Sequence, residues 1–106
     1  MESQLKILEG LTVNKILEIH DYTQIFFERG IILNIYNEYY LSDDKKICSI
    51  QNLVVKKIKE EEDSIEIFFS NNILVHIDLT EEGSNGLEFL ELSIPGTPPT
   101  IIVWGK

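Results

Sequence analysis

The side chains able to do chemistry in this chain are few and scattered. His20 and His76 are the only histidines and Cys48 is the only cysteine. A zinc site needs three or four converging ligands, and His76 beside Asp78 on a strand offers at most the start of one. The expectation is an outward-facing strand histidine and no metal. Cys48 lies in Ile47-Cys48-Ser49-Ile50. A reactive thiolate wants a cation or a helix N-terminus beside it. Lys45 and Lys46 are close in sequence, but no histidine is placed to assist, and the apolar flanks predict a buried, inert thiol. Acidic runs stand at Asp43-Asp44, Glu60–Asp63 and Glu81-Glu82. General acid–base work needs carboxylates in unlike environments, one of them desolvated, whereas these runs fall at turns that water reaches. Gly83-Ser84-Asn85-Gly86 lacks a lysine and a following helical pattern, so it reads as a turn and not a phosphate loop. The chain therefore reads as non-enzymatic, with no catalytic residue and no cofactor.

What remains is recognition. Tyr36-Asn37-Glu38-Tyr39-Tyr40 concentrates three of the four tyrosines, and Asp43-Asp44 follow closely. Tyrosine offers a large apolar area with a polar tip and is enriched where proteins bind each other. The candidate protein-binding set is Tyr36, Glu38, Tyr39, Tyr40, Asp43 and Asp44. The plainer alternative has two of these tyrosines filling space inside the fold. Nine Lys and Arg against 18 Asp and Glu give a net charge of −9. That opposes nucleic acid and anionic membrane, which need a positive footprint, and it suits a basic protein partner drawn in by long-range attraction.

The element that must position these residues is duplicated. Shifted by 42 positions, Leu11–Tyr36 lies on Leu53–Asp78 without a gap, and 11 of the 26 aligned positions are identical. Chance would give about two or three in a chain of this composition, so the match reads as an internal repeat. It extends back to residues 5–36 and 47–78, because Leu5, Leu8 and Leu11 match Ile47, Ile50 and Leu53. Their three-residue spacing predicts a short helical turn before each copy, with Ser3 as N-cap and Gly10 as stop. The Tyr cluster has no aromatic counterpart in Asp78–Glu82, so it marks a place where the two copies differ.

Each copy reads as a three-stranded meander. In the second, Ile65, Ile67 and Phe69 alternate with Glu66 and Phe68, and Ile73, Val75 and Ile77 alternate with Leu74, His76 and Asp78. A three-residue loop Ser70-Asn71-Asn72 pairs Phe69 with Ile73, Ile67 with Val75 and Ile65 with Ile77, placing all six on one face. A one-residue slip would set His76 among them, and the pattern rejects it. The first copy repeats this with Glu28-Arg29-Gly30, where Gly30 matches Asn72 as the left-handed residue. The strands before the hairpins are Val13–Ile19 and Val55–Glu61. The second carries so many Lys and Glu that it reads as a sheet edge, where charge discourages pairing.

The C-terminal extension 86–106 adds two strands, Leu87–Ile94 and Thr100–Trp104, around Pro95-Gly96-Thr97-Pro98-Pro99, and has no counterpart in the first copy. The fold expected is all-β: two repeated three-stranded antiparallel meanders plus a C-terminal strand pair, closed as a sandwich or small barrel in one domain, 1–106. Phe26/Phe68 and Ile32/Leu74 point away from the core face. The expected cover is the same chain's N-terminal turn and tail; the alternative is a second subunit, giving a homodimer. No segment reaches the ~18 apolar residues of a membrane helix, and the N-terminus does not read as a signal peptide, so a cytoplasmic protein is expected.

Leu53–Ile58, Ile65–Phe69, Ile73–Leu79, Leu92–Gly96 and Ile101–Trp104 together resemble the strand and turn pattern of small acidic all-β bacterial proteins of unassigned function, some of them of the toxin-immunity type. The resemblance covers about half the chain and carries no motif. It implies a protein partner, a basic toxin, and assigns no functional residue.

Overall fold

The computed structural model describes residues 3–80 and 88–105. Among the described residues the chain forms β1 (Val13–Ile19), β2 (Tyr22–Phe27), β3 (Ile32–Ile35), β4 (Tyr39–Leu41), β5 (Val55–Glu60), β6 (Ser64–Phe69), β7 (Leu74–Asp78), β8 (Glu88–Ile94) and β9 (Thr100–Gly105). They make two antiparallel sheets, one of five strands in the order β1-β2-β3-β8-β9 and one of four in the order β4-β7-β6-β5. Both sheets have open edges and share one core, so the fold is a sandwich and not a closed barrel. Of the expected strand Leu87–Ile94, Leu87 lies outside the described residues, as do Glu81-Glu82 and Gly83–Gly86.

The two hairpins take the register that the alternation demands. Ile25 pairs with Leu33 and Thr23 with Ile35 in one sheet; Ile67 pairs with Val75 and Ile65 with Ile77 in the other. Phe27 and Phe69 each donate a main-chain bond to the residue four ahead, Ile31 and Ile73, at 2.8 Å. One detail differs from expectation. Two consecutive loop residues are left-handed, not one: Arg29 and Gly30 in the first copy, Asn71 and Asn72 in the second. Asparagine tolerates this region, whereas Arg29 (φ 66°) occupies it as an ordinary L-residue.

The helical turns are 3-10 turns at Gln4–Leu8 and Ile47–Ile50, and the Ser3 side chain caps the first by accepting from the Leu5 amide. Their three-residue period buries Leu5, Leu8, Ile47 and Ile50. The same period turns Cys48 outward, so the expected buried thiol is instead an exposed one.

Main-chain bonds between the copies come in matched pairs. Val13 donates to Leu53 while Val55 donates to Leu11; Gly10 donates to Val55 while Asn52 donates to Val13. Thr12 and Val54, equivalent in the repeat, face each other as an isolated bridge. The pairing continues further than the sequence alignment. After β3 the chain crosses to the opposite sheet, where β4 pairs with β7; after β7 it crosses back, where β8 pairs with β3. The Tyr36 amide donates to the Phe89 carbonyl as the Asp78 amide donates to Glu38. β8 is thus the counterpart of β4, reached through a longer connection, which corrects the expectation that the C-terminal extension had none.

Both sheets bury the predicted face. Their outer faces are partly apolar. In the larger sheet Lys15, Phe26, Ile32, Ser93 and Ile101 form one transverse row, and Leu17, Gln24, Asn34, Glu91 and Val103 the next. The expected cover from the same chain is not present among the described residues. The first 3-10 turn packs on β5, and β8 and β9 widen the sheet instead of crossing it. Phe26 and Phe68 are half-buried, each on the outer face of its own sheet, one under the Lys15 ammonium 5.6 Å from its ring centre, the other beside Lys57. Long lysine stems cover apolar surface while their charges stay wet.

Candidate binding site

The site is built where β3 crosses to β4. Asn37 makes that crossing and is 4% exposed. Its Nδ2 donates to the main-chain carbonyls of Asp78 (2.7 Å) and Thr80 (3.2 Å), so the amide ties the exchanged strand to the end of β7. Two carbonyls on one side require the amide nitrogen there, which leaves Asn37 Oδ1 buried without a partner. Asp78 closes the corner by accepting from the Thr80 amide at 2.6 Å, a local turn typical of aspartate.

Two depressions flank this crossing. One, of about 510 Å³, is lined by Asn37, Glu38, Tyr39, Tyr40, His76 and Asp78. The other, of about 360 Å³, shares Asn37, Glu38 and Tyr39 and continues to Tyr36, Tyr22 and the β1–β2 turn with Glu18, His20 and Asp21. The two depressions meet at Asn37, Glu38 and Tyr39 and together make up the candidate groove. All four tyrosines and both histidines of the chain line it, with four carboxylates and, among the described residues, no Lys or Arg.

The aromatic rings are held in three different ways. Tyr40 is 64% exposed and stacks on His76, with ring centres 4.7 Å apart and planes at 16°. His76 Nδ1 lies 3.4 Å from Glu66 Oε2, a long contact across the β6–β7 pair. Tyr39 turns inward and its hydroxyl shares a 2.7 Å hydrogen bond with Thr23 of the opposite sheet. Tyr36 sits on the outer face of the larger sheet, 5.2 Å from Tyr22. Burial pushes both the Tyr39 and Tyr36 phenols up, Tyr36 further through Glu91 and Glu88. Both therefore stay neutral hydroxyls, not bases. Asp78 is held below its ordinary value by hydrogen bonding from Thr80, side chain first and then backbone.

The set places aromatic rings beside carboxylates, an arrangement that attracts cations. Asp78 is a settled anion, not a proton donor. Cys48 stands on the second 3-10 turn, which packs on β1, and not on β4 or β7. Among the described residues no three His, Cys, Asp or Glu side chains gather as a metal site.

Of the six predicted residues, the groove brings together Tyr36, Glu38, Tyr39 and Tyr40. Asp43 and Asp44 do not join them. They form the exposed left-handed turn after β4, and line neither depression. Sequence reasoning missed Tyr22, His20, Glu18 and Asp21, which lie near no other aromatic run, and it gave His76 no role. Only the β4–β7 pairing sets His76 under Tyr40.

Because the folded pKa of Asp78 is depressed, its contribution to stability is complete above the ordinary aspartate range and is lost as pH falls through the folded value. Asp78→Asn is expected to lower the urea midpoint by more at pH 7 than at about pH 2, which lies below the ordinary aspartate value. An equal difference at both pH values would show that the charge is not the cause.

No protein-family model, no curated protein and no solved structure matches this chain.

Proposed function

We propose that this protein is a non-enzymatic binding module whose groove receives Lys or Arg side chains of a basic protein partner, in the manner of an immunity protein neutralising a toxin. The observation that carries the reading is the composition of the two depressions: the four tyrosines alongside Glu18, Asp21, Glu38 and Asp78, with no Lys or Arg among the described lining residues. Exposed aromatic faces attract guanidinium and ammonium groups. Carboxylates nearby add charge-assisted hydrogen bonds. The net charge of −9 steers a basic partner toward the surface. A Tyr40 ring already stacked on His76 costs little to immobilise.

An arginine-rich peptide is a direct probe. Titration calorimetry is expected to show binding that weakens steeply with salt. Tyr40→Ala is expected to cost about tenfold in affinity, the range of an interface anchor, and Glu38→Gln several-fold with a shallower salt slope. Binding that is insensitive to both substitutions and to salt rules the groove out as the recognition surface.

A further inference from the structure

We infer that β9 is an association edge whose partner is a second copy of this chain, the two β9 strands pairing antiparallel about a twofold axis. Among the described residues the two sheets end in four edge strands, β1, β4, β5 and β9. Three are guarded. β1 carries Lys15 and Glu18, β5 carries Lys56, Lys57, Lys59 and Glu60, and each begins with a bulge. β4 is only three residues long. Charge, bulges and shortness are how sheets avoid edge pairing. β9 is neither short nor charged along Thr100-Ile101-Ile102-Val103-Trp104-Gly105; the one bulge in its ladder lies on β8, and Trp104 Nε1 donates to Glu60 Oε2 of β5 at 3.0 Å, leaving Thr100–Val103 as the open stretch. It is uncharged, contains no proline and is rich in β-forming side chains. Among the described residues its main chain pairs only with β8.

A second copy fits this edge better than a foreign strand. The chain carries −9, so two copies repel wherever acidic surfaces meet, and a neutral edge is where they approach at least cost. Both edges are already extended, so no segment has to be ordered on binding. Like paired with like is isologous and closes at two. The sheet faces also select the register, since facing residues must share a side. An axis at Ile102 sets Ile101 against Val103 of the second copy on the outer face. Those residues are 51% and 49% exposed in the monomer, at the ends of two transverse rows. The groove is not involved, so this inference stands or falls apart from the proposed function.

A six-residue edge offers less than the about 1,200 Å² of a stable interface, so a dissociation constant of roughly 10–100 µM is expected. Sedimentation equilibrium of the full chain from about 1 to 500 µM spans that range. Val103→Lys is expected to raise the constant by about tenfold or more. Leu17→Lys, on the same outer face but on β1 at the far edge, should leave it unchanged. Hydrogen exchange of the wild-type chain provides a reading free of any variant, because the β9 amides should gain protection as concentration rises. A monomer throughout the range, a dimer indifferent to Val103→Lys, or concentration-independent β9 exchange overturns the inference. Equal weakening by Leu17→Lys also overturns it, in favour of face-to-face packing.

Discussion

Ile25→Ala and Ile67→Ala should each lower the free energy of unfolding by about 3–4 kcal/mol, and the two losses should agree within about 1 kcal/mol. Both side chains are fully buried. Each stands in the middle strand of its meander, paired with Leu33 or Val75 on the core face. Truncating a buried isoleucine removes its transfer energy and leaves a cavity that packed neighbours only partly fill. The two cavities have similar walls, differing chiefly in Leu33 against Val75, because the copies share their hairpin register and their main-chain links. A domain of this size is stable by about 5–15 kcal/mol, so the double variant is expected to populate the folded state poorly at room temperature. Ile25→Val and Ile67→Val, which leave much smaller holes, should cost about 1 kcal/mol each. Urea unfolding monitored by Trp104 fluorescence measures all of these. A loss below about 1 kcal/mol at one alanine site, with a normal loss at the other, contradicts the equivalence of the copies.

The reason these sites can be named from sequence is period two. In each hairpin only one register leaves Ile25, Leu33, Ile67 and Val75 on a common face and keeps His76 off it, and that register is the one present. The two meanders and the 3-10 turns were legible for the same cause, local periodicity written twice. The exchange of β4 and β8 was not. β4 is three residues long, too short to show an alternation, and its partner strand belongs to the other copy. Nothing in Tyr39-Tyr40-Leu41 says that it pairs with β7 and not with β3. The outward turn of Cys48 was missed by weighing its apolar neighbours above the three-residue period that those neighbours themselves obey.

The groove shares that limit. Tyr36, Glu38, Tyr39 and Tyr40 were visible because they are contiguous. Tyr22 and the β1–β2 turn reach them only through sheet pairing and the crossing of the chain. Asp43 and Asp44 looked like members through nearness in sequence, but the left-handed turn directs the chain away after Leu41. Contiguity serves as a guide within one strand and fails at a corner.

Asn37→Asp tests that corner most severely, with an expected loss of about 3–5 kcal/mol at pH 7 and a partial recovery on acidification. The change keeps the shape of the side chain. It replaces the Nδ2 donor, which the Asp78 and Thr80 carbonyls both use, with an acceptor facing two acceptors. A charged carboxylate would also be placed at a position 4% exposed, next to the Asp78 anion. Burial and these neighbours favour the neutral form of the introduced carboxyl, so its folded pKa is raised. The variant's deficit is therefore largest above that value and shrinks as pH falls toward the ordinary aspartate range, where a protonated oxygen can again donate. Acidification below that range also removes the Asp78 contribution from parent and variant alike, so the difference between them is the quantity to follow. Asn37→Ala should lose about 2–3 kcal/mol with little dependence on pH, because it strands the same carbonyls without adding charge. Both substitutions should weaken binding of the arginine-rich peptide by displacing Glu38 and Tyr40, which β4 positions only while the crossing is held. If Asn37→Asp unfolds at the same urea concentration as the parent at pH 7, Asn37 is not what fastens the exchanged strand, and the groove must be held by the β4–β7 ladder alone.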